Sequence, residues 1–148
     1  MKQAIRTFLV VLVLAACSGG EDTASSTTRC DLCGMVVAED SGWRAGGTGA
    51  DRETLAFDTP KCLFRHRHER GAVHAPWVIE YDSQDRQDAS GLFYVLGSDI
   101  EGPMGRDLVP LASRTRATGF MQDHAGTEVL AFDEVTAEVT SALFQPRR

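Results

Sequence analysis

The sequence predicts an α+β fold, two tandem ββαβ units carried behind a secretion signal and a flexible tether. Three observations point to it. Strand, strand, helix and strand patterns follow one another in that order twice along the 148 residues. Each of the two helices carries a Phe with a His four residues on, Phe64 with His68 and Phe120 with His124. Before residue 30 there is an apolar leader and then small polar residues, with almost nothing to bury. Order and spacing together read as a weak internal duplication.

Residues 1–16 open with Lys2 and Arg6, continue through an apolar run over 8–14 and end in small residues. This is the pattern of a signal peptide, since a membrane span needs ~20 apolar residues. Leu14-Ala15-Ala16-Cys17 looks like a bacterial lipobox, which makes Cys17 the lipidated first residue of the mature chain, an anchor and not a ligand. Each buried methylene of an acyl chain contributes roughly 0.8 kcal/mol, and stable anchoring takes more than one chain. Ser18 after the Cys permits the outer membrane by analogy, and inner versus outer membrane stays open. Residues 17–29 comprise this Cys and a Ser-, Thr- and Gly-rich linker whose r.m.s. reach is on the order of 20 Å. Losing Lys2 and Arg6 with the signal reduces 15 basic residues to 13 against 21 acidic ones, moving the net charge from -6 to about -8. That balance argues against binding nucleic acid and against adhesion to anionic lipid. What remains, in a chain 43% hydrophobic overall, suffices for one domain or two very small ones with a modest core.

The first unit, residues 30–88, is expected to begin with a short strand over 33–39, followed by a Gly-rich loop over 43–52. A second strand over 54–57 leads to a helix over 61–70, capped by Asp58 or Thr59, with Pro60 in its first turn and Gly71 as its stop. Residues 77–81, Trp-Val-Ile-Glu-Tyr, have the β-branched and aromatic content of a strand. The second unit, residues 89–148, repeats the order: strands over 92–96 and 108–112, a helix over 114–124 before Gly126, and a strand over 129–132. A short C-terminal helix over 136–144 precedes a frayed end. Asp58 and Asp133, read as sitting at equivalent strand ends, are expected to be caps or turn formers.

The chemistry concentrates in Cys30-Asp31-Leu32-Cys33-Gly34-Met35. Two thiols and a thioether fall within six residues, just where the tether ends. In an extended chain residues i and i+2 share a side, so Cys33 and Met35 are expected to face one ion, with Gly34 adding no obstruction. A thiolate with a thioether is a soft donor pair that favours Cu(I) over oxygen-seeking cations. Cys30 is either a third soft donor or the partner of Cys33 in a disulfide that removes the site until reduced. Cys62 is expected to be a small buried residue of the first helix, and its pairing with Cys30, leaving Cys33 free, stays open. Met104 stands in the turn-rich stretch Gly102-Pro103-Met104-Gly105, an exposed place for a thioether, and either completes the site from the second unit or caps the core. His66 and His68 lie two apart on a helix and point in different directions, so the run over 65–70 is expected to be a solvated face.

Cys30-x-x-Cys33-Gly34-Met35 resembles the signature of the NosL family, accessory lipoproteins of nitrous oxide reductase that carry copper. Phe57-Asp58, the stretch from Gly102 to Pro110 and the stretch from Gly126 to Glu134 add to the likeness, which spans most of the chain after the tether. The resemblance implies paired ββαβ units, also seen in part of the organomercury lyase fold. It implies a Cu(I)-binding metallochaperone, lipid-anchored on the periplasmic side of a bacterial membrane and not an enzyme, with Cys33, Met35, Met104 and Cys30 as its metal ligands. Its implied partners are nitrous oxide reductase, at the copper–sulfide centre, and the membrane transporter complex of that system. Few ligands leave an open face through which metal passes by ligand exchange.

Other classes stay open beside it. A thiol–disulfide oxidoreductase using Cys30 and Cys33 would normally open a helix with that motif, and here the motif follows a linker and precedes Val36-Val37. An organomercury-lyase-like enzyme needs two cysteines and a carboxylate around one centre, and spacing alone fixes no such triad. A copper buffer or sensor differs only in whether metal is transferred.

Overall fold

The structure, a computed structural model, describes residues 27–146. The signal sequence and Cys17 lie outside the described residues. In the first unit, strands β1 (Ala45–Thr48) and β2 (Thr54–Phe57) form an antiparallel pair, with Ala45 opposite Phe57 and Thr48 opposite Thr54. Helix α1 (Pro60–Glu69) follows, and β3 (His74–Ile79) returns along the other side of β1. A short β4 (Arg86–Asp88) completes a sheet of order β2-β1-β3-β4. The second unit repeats the arrangement with β5 (Phe93–Gly102), β6 (Gly105–Leu111), α2 (Arg114–Asp123) and β7 (Glu128–Ala131), in a sheet of order β6-β5-β7. In both sheets the first strand of the unit lies in the centre, flanked by the second strand and by the strand that follows the helix. Helix α3 (Ala137–Leu143) closes the described chain.

Local signals explain most of these boundaries. Thr59 is the N-cap residue of α1, and Pro60 sits in the first turn, where its missing N–H costs nothing. Gly71, at φ 126°, follows the helix in a conformation that other residues rarely adopt. Ser113 caps α2 through its side chain, which accepts from the Arg116 N–H at 3.2 Å. The Phe–His spacing of the helices has a packing meaning. Phe64 meets Tyr94 edge-on at 4.8 Å and Phe132 at 5.1 Å, so α1 is held in a core shared by both units. Phe120 sits in the second cluster with Val95, Val109 and Leu111. Each His stays near the helix end: His68 bonds the Val135 carbonyl at 2.8 Å, and His124 stacks on Phe120 and reaches Asp99 at 3.0 Å.

Three expectations are corrected by the structure. The predicted loop over 43–52 contains β1, and the predicted strand over 33–39 is the end of a turn over 31–33 followed by irregular chain with a single bridge between Arg29 and Val36. Gly46 and Gly47 read locally as loop formers, yet each lies where a side chain would collide, Gly46 with the Trp77 ring and the Leu55 carbonyl, Gly47 with Val73 and the His74 carbonyl. Close packing of neighbours over bare backbone overrides the local preference. The helix face over 65–70 also differs from expectation. His66 is buried beside the Phe57 ring at 5.1 Å, and burial, followed by the nearby Arg70 charge, holds its imidazole below the usual pKa.

Candidate metal centre

The turn that carries the motif is fixed from several sides. The Cys30 N–H donates to the Met35 carbonyl at 2.8 Å, and the Gly34 N–H donates to the Cys30 carbonyl at 2.9 Å. Gly34 closes the turn at φ 78°, the left-handed conformation that glycine adopts without a Cβ penalty. Asp31 ties the turn to β2, donating its N–H to the Ala56 carbonyl at 2.9 Å and accepting from the Ala56 N–H at 2.6 Å. Arg70, just past α1, donates to the carbonyls of Asp31 and Leu32 at 2.5 and 3.3 Å. The result is that Cys30 points inward, 3% exposed, while Cys33 stands at the surface.

The junction between β2 and α1 supplies the other wall. Asp58 ends the strand and is buried, and Cys62 lies fully buried in the first turn of the helix. Cys30, Cys33, Asp58 and Cys62 each offer one donor atom, and these four atoms lie within 4.8 Å of one another. Cys33 Sγ is 3.6 Å from Asp58 Oδ1. All three cysteines are free thiols, so neither the Cys30–Cys33 nor the Cys30–Cys62 disulfide is formed. The helix N-terminus beside Cys62 adds a partial positive charge that favours anionic sulfur.

The thiols differ in acidity. A hydrogen bond from the Cys62 thiol lowers Cys30 to about 6, against the opposing effect of burial. Cys62 is pushed far up, first by that same bond, whose proton it retains, and then by burial. Burial is also the main cause that raises Cys33. Near neutral pH the cluster therefore presents a thiolate at Cys30, ready for a thiophilic cation.

Met104 arrives from the second unit. It sits in the β5–β6 turn, where Gly102 pairs with Gly105 and Gly105 takes φ 78°. Its Sδ lies 3.8 Å from Cys33 Sγ. Lys61, 1% exposed, holds this turn in place by donating to the carbonyls of Met104 and Arg106 at 2.9 and 2.7 Å. Its backbone N–H and ammonium both face Asp107, at 2.9 and 3.9 Å. Cys33 and Met104 open into a cleft of about 310 Å³ whose other walls include Leu32, Arg70 and Phe144.

Of the predicted ligands, the structure brings Cys30, Cys33 and Met104 to one place. Met35 is an exposed side chain, 42% accessible, and Cys33 lies in a turn closed by Gly34 at φ 78°, so the chain between them is not extended and the i, i+2 argument for a shared side does not apply. Cys62 is buried on α1 as expected, the cap position of that helix falls to Thr59 and not to Asp58, and both Cys62 and Asp58 stand in the cluster beside the predicted ligands. Their spacing holds a usable signal, because Asp58-Thr59-Pro60-Lys61-Cys62 spans a helix start that brings both residues to one end of α1. Asp133 is not at an equivalent strand end: it lies in a one-turn 3-10 helix after β7 and pairs with Arg67 at 2.8 Å.

Two ββαβ units whose junctions converge on three thiols, a carboxylate and a thioether define a small α+β protein with a thiol-rich site able to hold a metal ion. The family model of NosL matches residues 22–140, and the chain belongs to the NosL family. Among solved structures, the crystal structure of the copper chaperone NosL from Shewanella denitrificans shares the fold, with a TM-score of 0.65 and 24% identity over 76% of this chain and 92% of that one. No curated protein matches the chain. Among the described residues, no helix is long and apolar enough to cross a membrane.

Proposed function

We propose that this protein is a lipid-anchored, periplasmic Cu(I) carrier that is not an enzyme, binds copper at the mouth of the cluster and releases it by ligand exchange. The observation that carries the reading is the approach of Cys33 Sγ to Met104 Sδ, 3.8 Å apart on an open cleft. A thiolate and a thioether suit Cu(I), and Cys30 and Met35 are the nearest additional sulfur donors in the sequence of the motif. Exposure of Cys33 leaves a face on which an acceptor's thiolate or imidazole binds before the carrier's donors leave. The solved structure that shares the fold is of a protein described as a copper chaperone, which supports copper as the cargo. The acceptor we assign is nitrous oxide reductase, at its copper–sulfide centre, with the associated membrane transporter complex as docking partner. Cys17 supplies the anchor.

The test is an anaerobic Cu(I) titration of the reduced full-length chain in detergent, against a chromophoric chelator, with Cys33→Ser and Met104→Leu alongside. Stoichiometric binding weakened by both changes upholds the reading. Binding indifferent to both removes it. Transfer is then read by adding copper-free reductase and following recovery of its activity; copper that stays bound makes the protein a buffer instead.

A second reading has one observation behind it. Three thiols with one carboxylate meet the need of organomercurial protonolysis, in which the carbon–mercury bond takes up a proton, releases the hydrocarbon and leaves Hg(II) on thiolates. Incubation with phenylmercury decides it, since absence of benzene release rejects this activity.

A further inference from the structure

We propose that the outer face of the first sheet, around Trp77, is the surface that seats against the phospholipid bilayer to which the chain is anchored. This inference rests on the lipid-anchored reading above. It concerns a face that takes no part in metal binding.

Strand alternation defines the face. Phe57, Ala45 and Val78 stand in register across β2, β1 and β3, and all three are fully buried in the core that includes Leu63 and Phe64 of α1. Their neighbours Ala56, Gly46 and Trp77, also in register, therefore point the other way. Glycine and alanine leave that face bare. The Trp77 ring lies across Gly46, where an added Cβ would come within 2.7 Å of it. Beside the ring runs a groove of about 390 Å³, with Thr28, Val37 and Ala56 among its walls.

The side chains around Trp77 suit a lipid headgroup layer. The Arg86 guanidinium sits 4.2 Å from the ring centroid, and Arg44 borders the groove while its Nε donates to the Ser41 carbonyl at 3.1 Å. Neither arginine makes an ion pair among the described residues, whereas Arg65, Arg67, Arg114 and Arg116 on the helices each pair with a carboxylate. One carboxylate, Glu39, borders the groove. An indole settles at headgroup level, and arginine stems lie on apolar surface while their guanidinium groups reach phosphate oxygens. The combination matches a bilayer interface.

The point at which the chain arrives selects the occupant. Thr28 lines the groove, and the described chain begins at residue 27. Cys17 stands ten residues earlier, so an acylated Cys17 holds the groove within about 36 Å of the membrane at full extension. At the same entry Val36, 50% exposed, bridges to Arg29. A net charge of about -8 opposes adhesion from solution. Anchoring changes that balance, because a tethered contact acts at high effective concentration and acidic groups more than about 10 Å away are screened. The cleft of Cys33 and Met104 takes walls from Arg65 and Glu69 of α1, on the other side of the sheet, so it stays open while this face is seated.

The experiment uses the full-length acylated chain, reconstituted from detergent into vesicles of phosphatidylethanolamine and phosphatidylglycerol whose acyl chains carry bromine near the headgroup, a quencher of indole fluorescence. Wild-type emission is expected to fall on brominated vesicles relative to unbrominated ones, and Trp77→Phe to abolish the fall. Arg44→Gln combined with Arg86→Gln at least halves it, as does salt of about 1 M, where the screening length shortens to about 3 Å. Wild-type emission that brominated lipid leaves unchanged, or a fall that survives Trp77→Phe, overturns the proposal. Vesicle flotation separates the two readings. A chain that does not float lacks the anchor and defeats both, whereas one that floats with Trp77 unquenched keeps the anchor and refutes this face alone. If Trp77→Phe misfolds by circular dichroism, the arginine pair decides.

Discussion

Cys33 Sγ lies 3.8 Å from Met104 Sδ, two sulfurs drawn together across 71 positions of the chain. Each is followed by a glycine at φ 78°, Gly34 and Gly105, so each donor is presented from a tight turn. The pair exists because the N-terminal turn is tied to β2 through Asp31 and the β5–β6 turn is tied to α1 through Lys61.

Met104→Leu keeps the volume of the side chain and removes its sulfur. The expected result is Cu(I) affinity lowered by about tenfold, equivalent to about 1.4 kcal/mol, with an unchanged urea midpoint. Chelator competition and urea denaturation measure the two quantities separately, and an unchanged affinity refutes a role for this thioether.

Cys30 should titrate early. In the metal-free reduced protein, thiolate absorbance rises with a midpoint near 6, and Cys62→Ala moves that midpoint upward because the donated hydrogen bond is lost. The sign for stability follows from the depressed value. With the unfolded thiol near 9.0 and the folded one near 6, Cys30 contributes stability that is full above pH 9 and is lost as pH falls through 6. Cys33 and Cys62, raised in the fold, act oppositely, removing stability as pH climbs past 9.0. Urea midpoints of wild type and Cys30→Ala across pH 5 to 9 check this, with the difference between them expected to grow with pH.

Lys61→Met should destabilise by about 3–5 kcal/mol, because it leaves Asp107 without its buried partner and two carbonyls of the Met104 turn without a donor. Burial already pushes the Asp107 carboxyl up to about 6. This acid is neutral more readily in the fold than in the open chain, so its contribution falls as pH rises from 3.8 towards 6. The double change Lys61→Met with Asp107→Leu should recover much of the loss in denaturant titrations, whereas an additive loss would mean that the two residues act independently.

Gly34→Ala meets no neighbour, since nothing lies within 4 Å of the added carbon, so any cost comes from φ alone. A non-glycine residue held in the left-handed region costs roughly 1–2 kcal/mol. Loss of thermal stability of that size, with a weaker Cu(I) site, is the expected outcome; an unaffected melting temperature would show that the turn tolerates a different backbone.

Local chemistry made much of the chain legible. Pro60 and Gly71 bracket α1, and the apolar content of β2, β3 and β6 marks strands that the structure contains. The doubled ββαβ order and the soft motif around Cys33 also belong to the sequence. β1 did not, because Gly46 and Gly47 carry no strand signal and become strand only beneath Trp77 and Val73.

The sequence by itself determined most of the elements, a lipobox-like leader, and the presence of thiols and thioethers suited to soft metals, since caps, breakers and periodicity act over a few residues. Tertiary structure alone decided that Met104 meets Cys33, that Asp58 and Cys62 join Cys30 in one cluster, and that Met35 stands exposed. Those outcomes depend on hydrogen bonds across distant segments, Asp31 to Ala56 and Lys61 to Met104, and on a core shared by both sheets. A metal site is a meeting of side chains in space, and spacing along a chain fixes such a meeting only within a single turn of helix or strand.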